Sequence, residues 1–335
     1  MRILKLAVFI ALLHFANNIA AQVTFPENGV ADPRTRVYAF TNATIVKDAN
    51  TIVSNAVLVI KEGKIVSVGN VAIPKDAVII DCKGRYIYPS LIDIYSDYGI
   101  PMPQRSFGGS FFGPQQLTTT TKGPFNWNQA VKSEVNAYQL FGTDAAKAKQ
   151  LRDQGFGAVA THQKDGIARG TGAVVSLADD KENLAVIKDR AAAFYSFSKG
   201  TSLQSYPTSM MGAVALLRQT FLDADWYTKT KPEKEGINKS LEAWNENKSL
   251  PQIFDAGDKW SDIRADRIGD EFGVQYIIKG GDDEYQRIKE IAATKASFIL
   301  PLNFPETQNV EGPADARFVS VSDMAHWELA PGNTA

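Results

Sequence analysis

The side chains of this chain that could do chemistry are few, and the first pair is Tyr95 and Asp97. Both close an apolar stretch that begins at Leu91. Residues two apart on a β-strand point to the same side, which is the spacing at which paired side chains can chelate one metal ion. A neutral phenol is a weak ligand, however, and one carboxylate alone rarely holds a transition metal against water. Tyr95 and Asp97 therefore have the spacing of a metal-binding pair, but their side chains are poor ligands for a transition metal.

Histidine, the commonest protein metal ligand, is scarce. The chain has three, His14, His162 and His326, and His14 lies in a segment that we expect to be removed. His162 follows a predicted strand over residues 157–161, so it is a candidate catalytic residue near the strand end. A structural hydrogen-bonding histidine is the favoured alternative, since a catalytic base needs a positioned partner. His326 has no second histidine at zinc spacing and is expected to be packed or at the surface.

Other catalytic signatures are missing from the sequence. It contains no His-Glu-x-x-His helix, no Gly-x-Ser-x-Gly elbow and no phosphate loop ending in Gly-Lys-Ser/Thr. The glycine-rich run 166–172 could cradle an anion, but it lacks a Gly-x-Gly-x-x-Gly frame and is interpreted as a turn between strands. Cys82 is interpreted as structural, and as the single cysteine it excludes an internal disulfide.

The N-terminus has the composition of a secretory signal. Arg2 and Lys5 precede the apolar run 6–15, and a small-residue step ends at Ala21, so residues 1–21 are predicted to be a cleaved signal peptide. We expect an exported protein, periplasmic or secreted, with no membrane span after cleavage. With 36 Lys+Arg against 37 Asp+Glu, nothing favours nucleic acid or an anionic membrane as a partner.

Two kinds of pattern follow one another along the chain. Residues 37–88 alternate short β-branched runs with turns such as Glu62-Gly63, which predicts a small β-sheet unit. From residue 253 onwards, apolar runs start at 253, 274 and 297 with helical patterns between them, a spacing typical of parallel βαβ units. The Gly-, Pro- and Thr-rich segment 99–124 between them is too long for an ordinary loop, and its phenylalanines favour a lid over disorder. The open alternative is that these phenylalanines form a simple cap.

Three stretches of sequence resemble one protein family. The stretch Tyr88-Pro-Ser-Leu-Ile-Asp-Ile-Tyr-Ser-Asp97 resembles the Pro-Gly-Leu-Ile-Asp-x-His-x-His strand of the amidohydrolase superfamily, with Tyr95 and Asp97 in place of the histidines. Residues 41–69 and 79–93 resemble the N-terminal half of the β-sandwich that precedes the barrel, as in exported imidazolonepropionase-like and prolidase-like members. The resemblance covers residues 36–335 and is most specific over 37–97 and 206–335. It implies an α/β fold with a (β/α)8 TIM-type barrel at 89–335, incomplete at the C-terminus, after the N-terminal part of a β-sandwich at 36–88.

The resemblance also implies where the remaining site residues lie. Asp255 stands where a ligand histidine ends the fifth barrel strand, and Lys279 stands near the ligand histidine of the next strand. We hypothesise that Lys279 replaces the positive charge of a metal and pairs with Asp97 and Asp255 in the barrel mouth, because buried carboxylates need a cation or a proton. The open alternative is that all three point into solvated loops.

Family members hydrolyse C–N bonds in amides, cyclic amides or dipeptide-like substrates, using zinc or another divalent metal. With the ligand histidines replaced, no cofactor is expected in this segment unless the family site is retained, and its own activity is doubtful. The expected ligand is a small amide or peptide-like molecule. The alternative is a catalytically silent binding or scaffolding domain, a pseudoenzyme, attached to an active hydrolase domain beyond residue 335, with that continuation as its partner.

Overall fold

The computed structural model describes residues 35–104, 115–230, 236–302 and 304–334. These residues form two compact units, one ending at Pro89 and the other beginning at Ser90. The predicted signal peptide lies outside the described residues, as do residues 105–114 of the predicted lid. Among the described residues, no helix is long and apolar enough to cross a membrane.

The first unit is a five-stranded sheet. Its strands are β1 (Val37–Asp48), β2 (Thr51–Lys61), β3 (Lys64–Gly69), β4 (Val78–Asp81) and β5 (Tyr86–Ile87), in the order β3-β2-β1-β4 with β5 also on β1. The predicted turn at Glu62-Gly63 joins antiparallel β2 and β3, and both residues have positive φ. Strand β1 continues through a register irregularity between Phe40 and Ala43.

The second unit contains a seven-stranded sheet whose order follows the chain. Its strands are β6 (Leu91–Ser96), β7 (Phe156–Thr161), β8 (Ala168–Ser176), β9 (Val186–Ser196), β10 (Gln252–Asp255), β11 (Tyr276–Lys279) and β12 (Ser297–Ile299). The pairs β6–β7, β9–β10, β10–β11 and β11–β12 are parallel, whereas β8 is antiparallel to both of its neighbours. The late βα rhythm of the sequence is thus parallel, as predicted.

The interpretation of residues 166–172 as a turn is wrong from Ala168 onwards, because this part of the run begins β8. Its glycines let other backbone come close, which is a common use of glycine within a strand. A Cβ at Gly170 would lie 2.0 Å from the carbonyl oxygen of Val135, and one at Gly172 would meet the ring of Phe194. The run therefore packs against neighbouring segments and carries Arg169 into the sheet.

The described α-helices of this unit are α1 (Ala137–Leu140), α2 (Ala145–Asp153), α3 (Glu182–Ala185), α4 (Met210–Lys229), α5 (Lys239–Asn247), α6 (Lys259–Phe272), α7 (Ile288–Thr294), α8 (Pro313–Ala316) and α9 (Val321–Leu329). Helices α4, α5 and α6 pack against one side of the sheet. The main core joins buried residues of α4, α5 and α6 to Phe254, Tyr276 and Ile278 of the strands. Because side chains alternate along a strand, Asp255, Ile277 and Lys279 face the other side.

The sheet curves around that other side. Tyr95 of β6 packs in one cluster with Phe194 of β9, Ile253 of β10 and Ile299 of β12. Contact between β6 and β10, with three strands between them in the sheet order, requires the sheet to curl toward a barrel. In the described part of the chain, no strand pairing joins β12 to β6, so the barrel is not closed.

Candidate active site

Asp255 and Lys279 are the last residues of neighbouring parallel strands. They are Cα partners in the register of β10 and β11, and both point away from the helices. Lys279 Nζ lies 3.4 Å from Asp255 Oδ1, and the two side chains are 23% and 22% exposed. The C-terminal ends of barrel strands are where barrel active sites form, so the register itself places this ion pair at the position of a candidate site.

Arg169 and Tyr95 complete the cluster. The Tyr95 hydroxyl donates to Asp255 Oδ2 at 2.6 Å, and Arg169 Nη1 lies 2.7 Å from the same hydroxyl and 3.1 Å from Asp255 Oδ2. The Arg169 side chain is only 5% exposed, and its Nε donates to the carbonyl oxygen of Gly166. A buried guanidinium needs such acceptors because an unpaired buried charge is costly.

The environment shifts the pKa values of Asp255 and Tyr95 in opposite directions. Burial alone would raise the pKa of Asp255, but the hydrogen bond from Tyr95 and the charges of Arg169 and Lys279 hold it below its ordinary value. Burial raises the pKa of the Tyr95 phenol far above neutrality, although the Arg169 charge opposes this effect. At neutral pH the cluster is therefore a carboxylate, a neutral phenol and two cations.

His162 lies beside the cluster but forms no part of its hydrogen bonding. Its ring stacks on Phe194 with centroids 3.7 Å apart and meets the Tyr95 ring edge-on at 4.8 Å. The side chain is fully buried, and neither ring nitrogen has a hydrogen-bond partner among the described residues. Burial and the charges of Arg169 and Lys164 lower the pKa of His162 well below its ordinary value, so the imidazole is neutral. The side chain has no partner of the kind a general base requires.

Asp97 lies apart from the other predicted site residues. Its carboxylate is half exposed and faces Lys164 Nζ at 3.9 Å. Lys164 in turn lies over the Tyr95 ring, 4.8 Å from its centroid, and Lys279 lies 5.4 Å from the same centroid. The hypothesised contact of Lys279 is thus present with Asp255, whereas Asp97 is paired with Lys164 at the solvent side.

Arg169 is the functional residue that sequence reasoning missed. It lies in the glycine-rich run that the sequence predicts to be a turn. Its residue type gives no signal of burial, because arginine is mostly exposed and small neighbours leave a long side chain free to reach solvent.

The side chains of this cluster do not fit a divalent metal. Asp255 is its only carboxylate, with Oδ2 in hydrogen bonds to Tyr95 and Arg169 and Oδ1 next to Lys279. A metal would have to displace one cation and approach a second. Over the described ranges, no group of three or more His, Cys, Asp or Glu residues is arranged to hold a metal ion.

A scan of the sequence against protein-family models finds no match, and a search among curated proteins finds none either. Among solved structures, an amidohydrolase from Thermotoga maritima MSB8 matches with a TM-score of 0.61 at 20% identity, over 88% of this chain and 76% of that chain. A prolidase complexed with N-methylphosphonate-L-proline matches at 13% identity with a TM-score of 0.37, over 89% and 73% of the two chains. A dihydropyrimidinase from Brevibacillus agri NCHU1002 matches at 14% identity with a TM-score of 0.36, over 79% and 56%.

The first of these matches establishes the fold. The chain has the amidohydrolase fold, a curled α/β sheet of the barrel type together with a separate β-sheet unit. The resemblance seen in the sequence is confirmed at this level, and so is the expectation of an α/β fold with an incomplete barrel. A shared fold carries no chemistry of its own, because activity resides in the side chains at the strand ends.

Proposed function

We propose that this chain is an exported, catalytically silent member of the amidohydrolase fold, a pseudoenzyme with a binding or scaffolding role instead of hydrolysis. The single observation that carries the proposal is the Asp255 carboxylate held between the Arg169 guanidinium, the Tyr95 hydroxyl and the Lys279 ammonium. Protein cations neutralise the carboxylate that would otherwise attract a metal ion. Export is supported by the composition of residues 1–21.

The neighbouring groups also support a silent site. Hydrolysis without a metal would need a nucleophile activated by a positioned base. Tyr95 donates its proton to a carboxylate and keeps it at neutral pH, and His162 is enclosed by the rings of Phe194 and Tyr95. Neither group can take a proton from water in this arrangement, which leaves the cluster a structural role at the barrel mouth.

Metal analysis of the purified protein after incubation with zinc or manganese tests the proposal. We expect well below one ion per chain, and no turnover of amide or dipeptide panels. The variant Asp255→Asn should leave this metal content unchanged, as should the control Asp153→Asn, whose carboxylate is exposed on α2. Stoichiometric zinc in the wild type that is lost in Asp255→Asn but retained in Asp153→Asn, with hydrolysis to match, would overturn the proposal.

A further inference from the structure

A groove of about 420 Å³ lies between α4 and α6 and shares no lining residue with the candidate active site. Met210, Met211 and Val214 from the start of α4 form one wall, and Arg264 and Arg267 of α6 form part of the other. The opposite faces of these helices are buried in the main core. The groove therefore opens on the outer side of the second unit, and its volume falls within the range of small-molecule sites, about 300 to 1,000 Å³.

Contacts between α4 and α6 fix the spacing of the two walls. Arg218 Nε of α4 donates to Glu271 Oε2 of α6 at 2.7 Å, and the rings of Phe221 and Phe272 stack with centroids 4.3 Å apart. Ile268 of α6 also lines the groove and is buried. Because contacts within the protein hold its walls, the groove is preformed, which lowers the entropic cost of binding a ligand.

The wall from α4 is apolar and open to solvent. Met211 is 82% exposed, and Met210 beside it is 38% exposed. The exposed apolar surface continues along the same helix to Leu222 and Trp226, which follow Met211 by 11 and 15 residues and so lie on the same face. Contiguous exposed apolar surface marks binding sites, and the unbranched side chain of methionine adapts to the shape of an aliphatic ligand.

The wall from α6 supplies positive charge. Arg264 and Arg267 are exposed, and among the described residues neither side chain forms an ion pair or donates a hydrogen bond. Arg218, the third arginine of the groove, is already paired with Glu271. No carboxylate from the described part of the chain lines the groove. Arg264 and Arg267 can therefore take an anionic group, and the planar donors of a guanidinium match a carboxylate.

The like charge of Arg264 and Arg267 disfavours a second copy of this chain as the occupant. Two-fold symmetry brings the same patch of both subunits together, so the cations of one groove would approach those of the other. Like charges placed side by side in an interface lower its affinity. A small ligand with one negative charge and an aliphatic part avoids this repulsion and covers the apolar wall.

We propose that this groove binds a fatty carboxylate, an unbranched aliphatic chain with one carboxylate group, taken as a monomer from solution. The carboxylate pairs with Arg264 and Arg267, and the aliphatic chain lies along Met210, Met211 and Val214. The site is separate from the proposed silent centre, so it goes beyond the proposed function and does not depend on it.

Isothermal titration of the full chain with three matched probes tests this site. Octanoate has the aliphatic chain and the negative charge, butanoate keeps the charge on a shorter chain, and octylammonium keeps the chain with a positive charge. At about pH 7.5, where the carboxylates are ionised, we expect octanoate to bind at least about tenfold more tightly than either of the others.

A double variant tests the role of the arginines. Arg264→Gln combined with Arg267→Gln removes both charges from exposed positions, and it should weaken octanoate binding at least about tenfold. The control Arg85→Gln, which removes an exposed arginine of the first unit, should leave octanoate binding unchanged. A parallel titration with phosphatidylglycerol vesicles separates monomer binding from attachment to an anionic membrane.

A second measurement avoids reliance on a variant that fails to fold. In wild-type protein labelled at its methionine methyl groups, octanoate should shift the NMR signals of Met210 and Met211 in a saturable way and leave those of Met102 and Met324 unchanged. Unshifted Met210 and Met211 signals, equal affinity for the three probes, undiminished binding in the folded double variant, or binding to the vesicles alone would each overturn the proposal. Metal analysis of the same samples reports separately on the silent centre.

Discussion

Arg169 and Asp255 are 86 residues apart in the sequence, and Arg169 Nη1 lies 3.1 Å from Asp255 Oδ2. The contact joins β8, the antiparallel strand, to β10, with β9 between them in the sheet. It places a buried cation beside the carboxylate at the strand ends. We expect this contact to contribute substantially to the free energy of unfolding.

Replacing the arginine should destabilise the protein. In Arg169→Met, Asp255 keeps Lys279 and Tyr95 but loses its most buried cation, and we expect a loss of about 3 kcal/mol in the free energy of unfolding. Urea denaturation measures it. The control Arg218→Met breaks an exposed pair with Glu271 and should cost less than about 1 kcal/mol. Equal losses in the two variants would contradict a special role for Arg169.

The Tyr95 hydroxyl should stabilise the ionised form of Asp255. In Tyr95→Phe the hydrogen bond is lost, so we expect a loss of about 1.5 to 3 kcal/mol, typical of a bond to a charged group. The pKa of Asp255, followed by NMR titration, should rise because one of the effects that lower it is gone. Tyr138→Phe, which alters an exposed hydroxyl, is the control and should change neither quantity. An Asp255 pKa that stays the same would show that the cations alone set it.

The buried carboxyl groups of Asp262 and Glu284 should make the free energy of unfolding depend on pH. Asp262 is fully buried, and burial together with nearby Glu284 raises its pKa from 3.8 to about 8. The folded state therefore keeps a proton that the unfolded state loses above pH 3.8. The stability that the protonated Asp262 contributes is fully present below pH 3.8 and is lost as the pH rises to about 8. The loss is on the order of 6 kcal/mol, since each pKa unit corresponds to about 1.4 kcal/mol.

The variant Asp262→Asn tests this dependence, because its side chain cannot ionise. Chemical denaturation at a series of pH values should show a smaller decline in stability for Asp262→Asn than for the wild type between pH 3.8 and 8. Asp153→Asn, on the exposed surface of α2, should follow the wild type. Parallel curves for the wild type and Asp262→Asn would show that Asp262 ionises normally.

Gly170 should be intolerant of any side chain. Its φ is +77°, and a Cβ would lie 2.0 Å from the carbonyl oxygen of Val135, so Gly170→Ala combines backbone strain with a collision. We expect a loss of about 3 kcal/mol or more in thermal or urea unfolding. Gly273→Ala is a matched control, because Gly273 has a φ of +69° and nothing within 4 Å of its Cβ position. Gly273→Ala should lose only about 1 kcal/mol. Similar losses in Gly170→Ala and Gly273→Ala would mean that the contact with Val135 is relieved without a cost in stability.

Local sequence patterns predict several of the strands and turns, although the start of β8 is not among them. The turn chemistry predicts the Glu62-Gly63 hairpin, and the late strands begin within two residues of the predicted starts. These features depend on alternation and turn chemistry, which neighbouring residues determine. The poor match of Tyr95 and Asp97 to a metal pair is likewise a property of residue type alone.

Only the folded structure decides which partners those side chains meet. Asp97 was expected beside Asp255 and lies against Lys164, while Arg169 was assigned to a turn and reaches Asp255. Both outcomes follow from the curl of the sheet and from β8 running antiparallel, and these depend on contacts between distant residues. The amino-acid order specifies the strands and the chemistry available on them, whereas long-range packing selects which charges end up side by side, because electrostatic partners are set by distance in space.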